Sequence, residues 1–94
     1  ADVPRYPITP DIRLRCSPEE VQAILTELRA GFAGHPLSLL DGVRIDFGDG
    51  WALARPSVTE PLITLRFEAH TTQRLQEIQD VVRSRTPALA EIWK

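Results

Sequence analysis

Three stretches of the chain, residues 12–16, 43–47 and 63–68, alternate apolar and polar residues, a pattern typical of half-buried β-strands. A further strand is predicted over residues 51–55, which run back after a turn. Residues 43–47 and 51–55 are separated only by Gly48-Asp49-Gly50. Because glycine and aspartate tolerate the positive φ of a tight turn, this tripeptide predicts a hairpin. The pattern therefore predicts a mainly antiparallel sheet of four strands.

A first helix is predicted after residue 17. Ser17 is a good N-cap, Pro18 suits the first helical position, and Glu20 completes a capping box. Gly31 and Gly34 mark the end of this helix. One apolar stripe at helical spacing forms its inner face: Val21, Ile24, Leu25 and Leu28.

A second helix is predicted after the fourth strand, with Thr71 or Thr72 as its N-cap. The Thr86-Pro87 pair interrupts the helical pattern. Residues 88–94 are expected to form either a short helical turn or a tail. The inner face of the second helix comprises Leu75, Ile78, Val81 and Val82.

The order strand, helix, three antiparallel strands, helix predicts an α+β fold, a two-layer sandwich with two helices on one face of the sheet. Residues 1–10 carry prolines at positions 4, 7 and 10, which favour an extended connector. We therefore interpret residues 1–10 as a linker from a preceding domain and residues 11–94 as the folded domain.

Charge, apolar content and cysteine content disfavour nucleic-acid binding, membrane insertion and export. The net charge is −2, without the basic surplus of a nucleic-acid-binding protein. No long apolar run or signal peptide is visible, so we expect neither a membrane segment nor export. The single Cys16 excludes an internal disulfide, is compatible with a cytoplasmic location, and is expected to be buried. The chain has no methionine, even at position 1, which indicates a processed or excised piece.

Residues 55–61, Arg-Pro-Ser-Val-Thr-Glu-Pro, carry the strongest candidate chemistry. Arg55 offers a planar fork of donors that matches phosphate oxygens. The hydroxyls of Ser57 and Thr59 donate, and irregular backbone can aim consecutive N–H groups at one anion. The alternative is an ordinary connection, since Pro, Ser and Thr are common turn residues.

Residues 41–69 resemble the C-terminal domain of the α-D-phosphohexomutases, especially the bacterial phosphomannomutase/phosphoglucomutase branch. The shared pattern is a strand led by Asp41-Gly42, a hairpin Asp49-Gly50-Trp51, the loop at residues 55–61, and a strand ending in Phe-Glu-Ala. The resemblance continues more weakly through residues 7–16 and 71–83. It implies a fold like that of the TATA-binding protein, which by itself says nothing about DNA.

The resemblance also implies a function. Phosphohexomutases move phosphate between the C1 and C6 hydroxyls of a hexose, using a phosphoserine and Mg²⁺ held by another domain. In that family this loop binds the phosphate that is not transferred. The expected phosphate contacts are therefore Arg55, Ser57, Val58 and Thr59, and Pro56, Glu60 and Pro61 are expected to support the loop.

Two consequences follow from this resemblance. The chain is expected to hold no catalytic residue and no metal ligand, to work with a phosphosugar and the other domains of a parent chain, and to be inactive alone. Val58 departs from the family, which has Asn or Gly there. A β-branched residue would be strained if that position were left-handed, so Val58 is expected to contribute only its backbone.

The remaining polar candidates are better explained by structure. His35 and His70 have no partner at metal-ligand spacing. The aspartates at positions 41, 46 and 49 do not form a magnesium-binding Asp-x-Asp-x-Asp pattern and are interpreted as turn and strand-surface residues. Trp51 follows a hairpin turn, so packing is favoured over a role as a sugar platform.

A second hypothesis belongs to a different class. The chain is then a small interaction or regulatory module that binds no phosphosugar, and residues 55–61 are merely structural. Its docking surface would be the polar face of the sheet: Arg44, Asp46, Thr64, Arg66 and Glu68.

Overall fold

The computed structural model describes residues 6–39, 42–57 and 59–93. The strands are β1 (Ile12–Arg15), β2 (Leu37–Ser38), β3 (Val43–Asp46), β4 (Gly50–Pro56) and β5 (Leu62–Ala69). The helices are α1 (Pro18–Gly31), α2 (Thr72–Arg85) and α3 (Pro87–Ile92). The fold is α+β, as expected, and broadly a two-layer sandwich.

The sheet is antiparallel and has five strands in the order β1-β5-β4-β3-β2. The prediction of four strands was wrong because β2 is only two residues long, too short to show an alternating pattern. It pairs with the edge of β3, with Leu37 opposite Ile45 and Ser38 opposite Arg44.

The described residues form three helices where two were predicted in the layer, and the short helix is the one of the two alternatives for residues 88–94 that is observed. Pro87 does not end the helical part of the chain but occupies the first turn of α3, where its missing N–H costs nothing. Leu89 of α3 is fully buried, and the buried Trp93 just beyond it stacks on Phe67 of β5 with ring centroids 5.4 Å apart. The residues that follow α2 therefore complete the core.

The helix starts follow from capping. The Ser17 hydroxyl accepts from the Glu20 amide at 3.1 Å, and the Glu20 carboxylate accepts from the Ser17 amide at 2.8 Å. This is the predicted capping box. At α2 the cap is Thr71, whose hydroxyl accepts from the Arg74 amide at 3.0 Å.

The helices cover the sheet face that carries the buried strand residues. These are Val43, Ile45, Ala52, Ala54, Ile63, Leu65, Phe67 and Ala69. The predicted stripe of α1 is buried against them, and so are Ile78 and Val82 of α2, while Leu75 and Val81 are partly buried. Cys16 is buried as expected, and burial raises the pKa of its thiol, with a further contribution from Glu20.

Residues 6–9 run beside the end of β5. The Thr9 amide donates to the Phe67 carbonyl at 2.9 Å, and the Ala69 amide donates to the Pro7 carbonyl at 3.1 Å. Tyr6 stacks on His70 with ring centroids 4.5 Å apart. Within the described residues, no helix combines the length and the apolarity needed to cross a bilayer.

Candidate functional site

The candidate loop connects β4 to β5 and is closed by backbone hydrogen bonds. The Ser57 amide donates to the Leu62 carbonyl at 3.0 Å, and the Leu62 amide donates to the Glu60 carbonyl at 2.8 Å. Both flanking strands lie in the middle of the sheet. The ends of the loop are therefore fixed by rigid elements. Val58, the predicted backbone contact, lies outside the described residues.

Arg55 is exposed on the sheet face opposite the helices, because its neighbour Ala54 points into the core. It lies directly opposite Thr64 of β5. Among the described residues, no carboxylate oxygen comes within 4 Å of its guanidinium nitrogens; the four ion pairs seen there involve Arg66, Arg74 and Arg83. Within the described part of the chain, its donors are not engaged by an acid.

Ser57 and Glu60 interact within the loop. The Ser57 hydroxyl oxygen accepts from the Glu60 amide at 3.3 Å. A hydroxyl carries one donor and two acceptor positions, so this contact leaves the Ser57 proton available to an anion. Thr59 is exposed at the loop surface, and so are Glu60 and Pro61.

A recess of about 210 Å³, open to solvent, lies between the loop and the first turns of α1. The loop contributes Pro56, Ser57, Glu60 and Pro61 to its lining, and the rest comes from Pro18, Val21, Gln22 and Leu62. Arg55 and Thr59 do not line it. The structure thus gathers four of the predicted residues around one recess, whereas Arg55 lies outside its lining, on the sheet face that the helices leave uncovered.

The aspartates of the β3–β4 hairpin are engaged locally. Asp46 accepts from the Gly48 amide at 2.8 Å. Asp49 forms an ion pair with Arg74 of α2 at 2.9 Å, and the hydrogen bond from Arg74 lowers the pKa of the Asp49 carboxyl. Within residues 6–39, 42–57 and 59–93, no group of three His, Cys, Asp or Glu side chains is placed to hold a metal ion.

The other candidates pack against neighbours. His35 lies among aromatic rings, 5.7 Å from Phe32 and 5.1 Å from Phe47 between centroids. The Trp51 indole donates to Glu68 at 3.1 Å, and the Arg44 guanidinium lies 4.7 Å above its ring. Trp51 therefore belongs to a polar cluster on the sheet surface.

Comparison with known proteins places these features in a family. The model of the phosphoglucomutase/phosphomannomutase C-terminal domain matches residues 12–85, which is most of the chain and includes the whole loop. The chain belongs to this family.

Relatives of this phosphoglucomutase/phosphomannomutase domain are clear. The phosphomannomutase/phosphoglucomutase of Pseudomonas putida is 40% identical over 81% of this chain. A probable phosphoglucosamine mutase of Methanopyrus kandleri is 37% identical over 85% of it. The crystal structure of a phosphoglucomutase/phosphomannomutase family protein from Burkholderia thailandensis superposes with a TM-score of 0.71 at 35% identity, covering 94% of this chain.

The chain spans only a small part of these proteins: 17% of the Pseudomonas protein, 18% of the Methanopyrus protein and 18% of the Burkholderia chain. In those relatives the matching segment is thus one part of a much larger polypeptide. The family match also ends at residue 85, before α3, although Leu89 is fully buried.

Two arginines outside the loop motif, which the sequence patterns missed, lie near the loop in the fold. Arg13 and Arg15 lie in β1, which the sequence places some forty residues before the loop. The alternation of residues 12–15 predicted that both arginines share the outer face of a strand. The alternation could not show that β1 pairs with β5. The sequence pattern therefore did not predict that Arg13 and Arg15 lie near the loop.

Proposed function

We propose that this chain is the C-terminal domain of a phosphohexomutase, and that its loop binds the phosphate of a hexose phosphate that is not being transferred. The observation that carries the proposal is the placement of Arg55. Its guanidinium is exposed at the end of a central strand, next to a loop whose Ser57 hydroxyl keeps its proton for an anion. Family membership supports the proposal, because the family match covers the whole loop.

In this proposal the chain contributes binding and orientation. Anchoring a phosphate that does not react fixes the sugar relative to the reacting end, and so converts binding energy into correct alignment. Pro56 and Pro61 restrict the loop and lower the conformational entropy lost on binding. In this proposal the transfer itself, with its phosphoserine and Mg²⁺, belongs to other domains.

The proposed substrates are phosphorylated hexoses. The names of the relatives include mannose, glucose and glucosamine phosphates. All share a phosphate monoester, which is the only part that Arg55 and the loop hydroxyls are equipped to recognise. We therefore propose that sugar choice is made by other domains of the parent enzyme, which we place in the cytoplasm.

Chemical-shift titration tests the loop. Adding glucose 6-phosphate to the ¹⁵N-labelled chain should shift the amides of residues 55 and 57–60, and Arg55→Gln should weaken binding about tenfold, the effect of losing one charge-assisted contact. Arg29→Gln, an exposed α1 arginine with no partner among the described residues, removes the same charge elsewhere and should change affinity less than twofold. Shifts confined to other regions, or equal effects of the two variants, would refute the assignment.

The interaction-module hypothesis keeps one observation in its favour. Its five residues do share the face that the described helices leave uncovered, since Arg44, Leu53 and Arg66 form one row across the strands and Asp46, Trp51 and Glu68 the next. A chain that binds no phosphosugar in the titration above would favour this hypothesis.

A further inference from the structure

Arg13 of β1 is brought close to Arg55 by strand pairing. Arg13 lies directly opposite Thr64, and Arg55 lies directly opposite Thr64 from the other side. Residues directly opposite in antiparallel strands have Cβ atoms about 4.5–5.5 Å apart and point to the same face. Arg13, Thr64 and Arg55 therefore form one row on the uncovered face, with Thr64 between the two arginines.

Arg15 lies in the next row, nearer the loop. It is directly opposite Leu62, and the Leu62 carbonyl accepts from the amide of Ser57. The residue after Arg15 is also tied to the loop, since the Cys16 amide donates to the Pro61 carbonyl at 3.0 Å. The two rows together place both β1 arginines beside the end of the sheet where the loop begins and ends.

Charge is concentrated at this end of the face. Within the described ranges, Arg13, Arg15 and Arg55 form no ion pair. Further along the face acids accompany the arginines: Arg66 lies 3.7 Å from Asp11, and Glu68 binds Trp51 beneath Arg44.

Such a cluster needs a reason in a chain whose net charge is −2. Neighbouring like charges on a sheet repel one another, so three arginines in two adjacent rows of one sheet face destabilise the free fold. A bound dianion turns this repulsion into a net attraction, because each guanidinium then faces an opposite charge. The acid closest in sequence to these arginines, Asp11, lies near Arg66 instead.

We infer that Arg13 and Arg15 extend the phosphate site, so that a phosphate monoester dianion is held by Arg55 and the loop on one side and by the two β1 arginines and the Thr64 hydroxyl on the other. This inference rests on the proposed function and enlarges its site. It predicts that the site binds doubly charged phosphate more tightly than a singly charged anion, since several guanidinium groups share the charge.

The test compares single variants in the same titration, with glucose 6-phosphate at a pH above the second phosphate pKa. Arg13→Gln and Arg15→Gln should each weaken binding about fivefold, and Thr64→Val about threefold, with Arg29→Gln again changing it less than twofold. Circular dichroism melting checks that each variant folds; the arginines are exposed, so their replacement should leave the melting temperature nearly unchanged.

The outcomes separate the two ideas. If Arg55→Gln weakens binding while Arg13→Gln and Arg15→Gln behave like Arg29→Gln, the enlarged site is refuted and the proposed function stands. If neither Arg55→Gln nor the β1 variants differ from Arg29→Gln, both fail. A fivefold loss in Arg13→Gln with wild-type melting supports the enlarged site, because a purely structural residue would change stability and leave phosphate affinity alone.

Discussion

Gly48 and Gly50 flank Asp49 in the same turn, but they are glycines for different reasons. Gly48 has φ +84°, in the left-handed region that favours glycine. Gly50 has ordinary backbone angles, but a Cβ built on it would lie 2.5 Å from the Glu68 carbonyl oxygen and 2.6 Å from Ile78 Cδ1. The sequence predicted the turn correctly; the close approach of β5 and α2 to Gly50 required the tertiary structure.

Gly50→Ala should therefore destabilise the fold by about 2–3 kcal/mol, because backbone of β5 and a core side chain of α2 must move. Gly34→Ala is the matched control: a Cβ there meets nothing within 4 Å, so the variant should be neutral or slightly stabilising. Urea unfolding monitored by circular dichroism measures both. Equal stabilities would show that Gly50 is not a tight contact.

Asp49 makes the fold sensitive to acid. Because Arg74 lowers the pKa of Asp49, the folded chain holds this carboxyl ionised at a pH where the unfolded chain has protonated it. The pair thus stabilises the fold above the pKa of an unfolded aspartate, and this contribution disappears as the pH falls through the lower folded pKa.

The melting temperature of the chain should consequently fall more steeply between about pH 5 and pH 2 than that of Asp49→Asn, whose amide does not titrate. Arg74→Gln should flatten the profile in the same way, since it removes the cause of the lowered pKa. Parallel profiles for all three proteins would show that the pair has no part in acid stability.

At the scale of elements, local chemistry predicted the helix starts and tertiary contacts determined the short elements. Ser17, Pro18 and Glu20 specify the start of α1 through groups within one turn, and the structure has the same cap. α3 has six residues, and its N-cap Thr86 makes no capping hydrogen bond. Its position depends on burying Leu89, on the packing of Trp93, and on Glu27 of α1, which accepts from the Ala88 amide at 2.9 Å. Such an element cannot be recognised before its partners Phe67 and Arg83 are in place.

The N-cap of α2 can be tested by comparing alanine substitutions at two neighbouring threonines. Thr71→Ala removes the hydroxyl that accepts from the Arg74 amide and should cost about 1 kcal/mol. Thr72→Ala, one residue later at an exposed position, should cost less than about 0.5 kcal/mol. Chemical denaturation of the two variants distinguishes them. A larger loss in Thr72→Ala would move the start of the helix by one residue.

At the scale of the whole molecule, the two faces of the sheet have separate tasks. One face is covered by helices and holds the core, and the other carries arginines around the loop. The sequence alone showed which residues the loop contains and that residues 41–69 resemble the phosphohexomutase C-terminal domain. β1 lies near that loop because the strand order is β1-β5-β4. The alternation of residues along one strand does not show which strands are neighbours.

A phosphate-only site should be indifferent to the sugar. The isolated chain should bind glucose 6-phosphate, mannose 6-phosphate and glucosamine 6-phosphate with affinities within about twofold of one another, because its contacts reach only the shared phosphate. The same titration measures all three, with glucose as the ligand that lacks a phosphate. A preference of tenfold for one sugar, or binding of free glucose, would show that the chain reads the sugar itself.

The same chain should show no mutase activity by itself, since the proposed transfer chemistry lies outside it. Conversion of glucose 1-phosphate to glucose 6-phosphate, followed by a coupled dehydrogenase, should stay at the level of the buffer. Turnover that persists after repeated purification and disappears in Arg55→Gln would contradict this expectation.

The hydrogen bonds of Pro7 and Thr9 fasten the incoming segment to the last residues of β5, whereas the loop lies before the first residue of that strand. Ala69 lies seven residues beyond Leu62 in β5, so these two points are separated by about 23 Å. If the domain rotated about this segment as a rigid body, a rotation of about 10° would displace the loop by roughly 4 Å over that length, more than the length of a hydrogen bond.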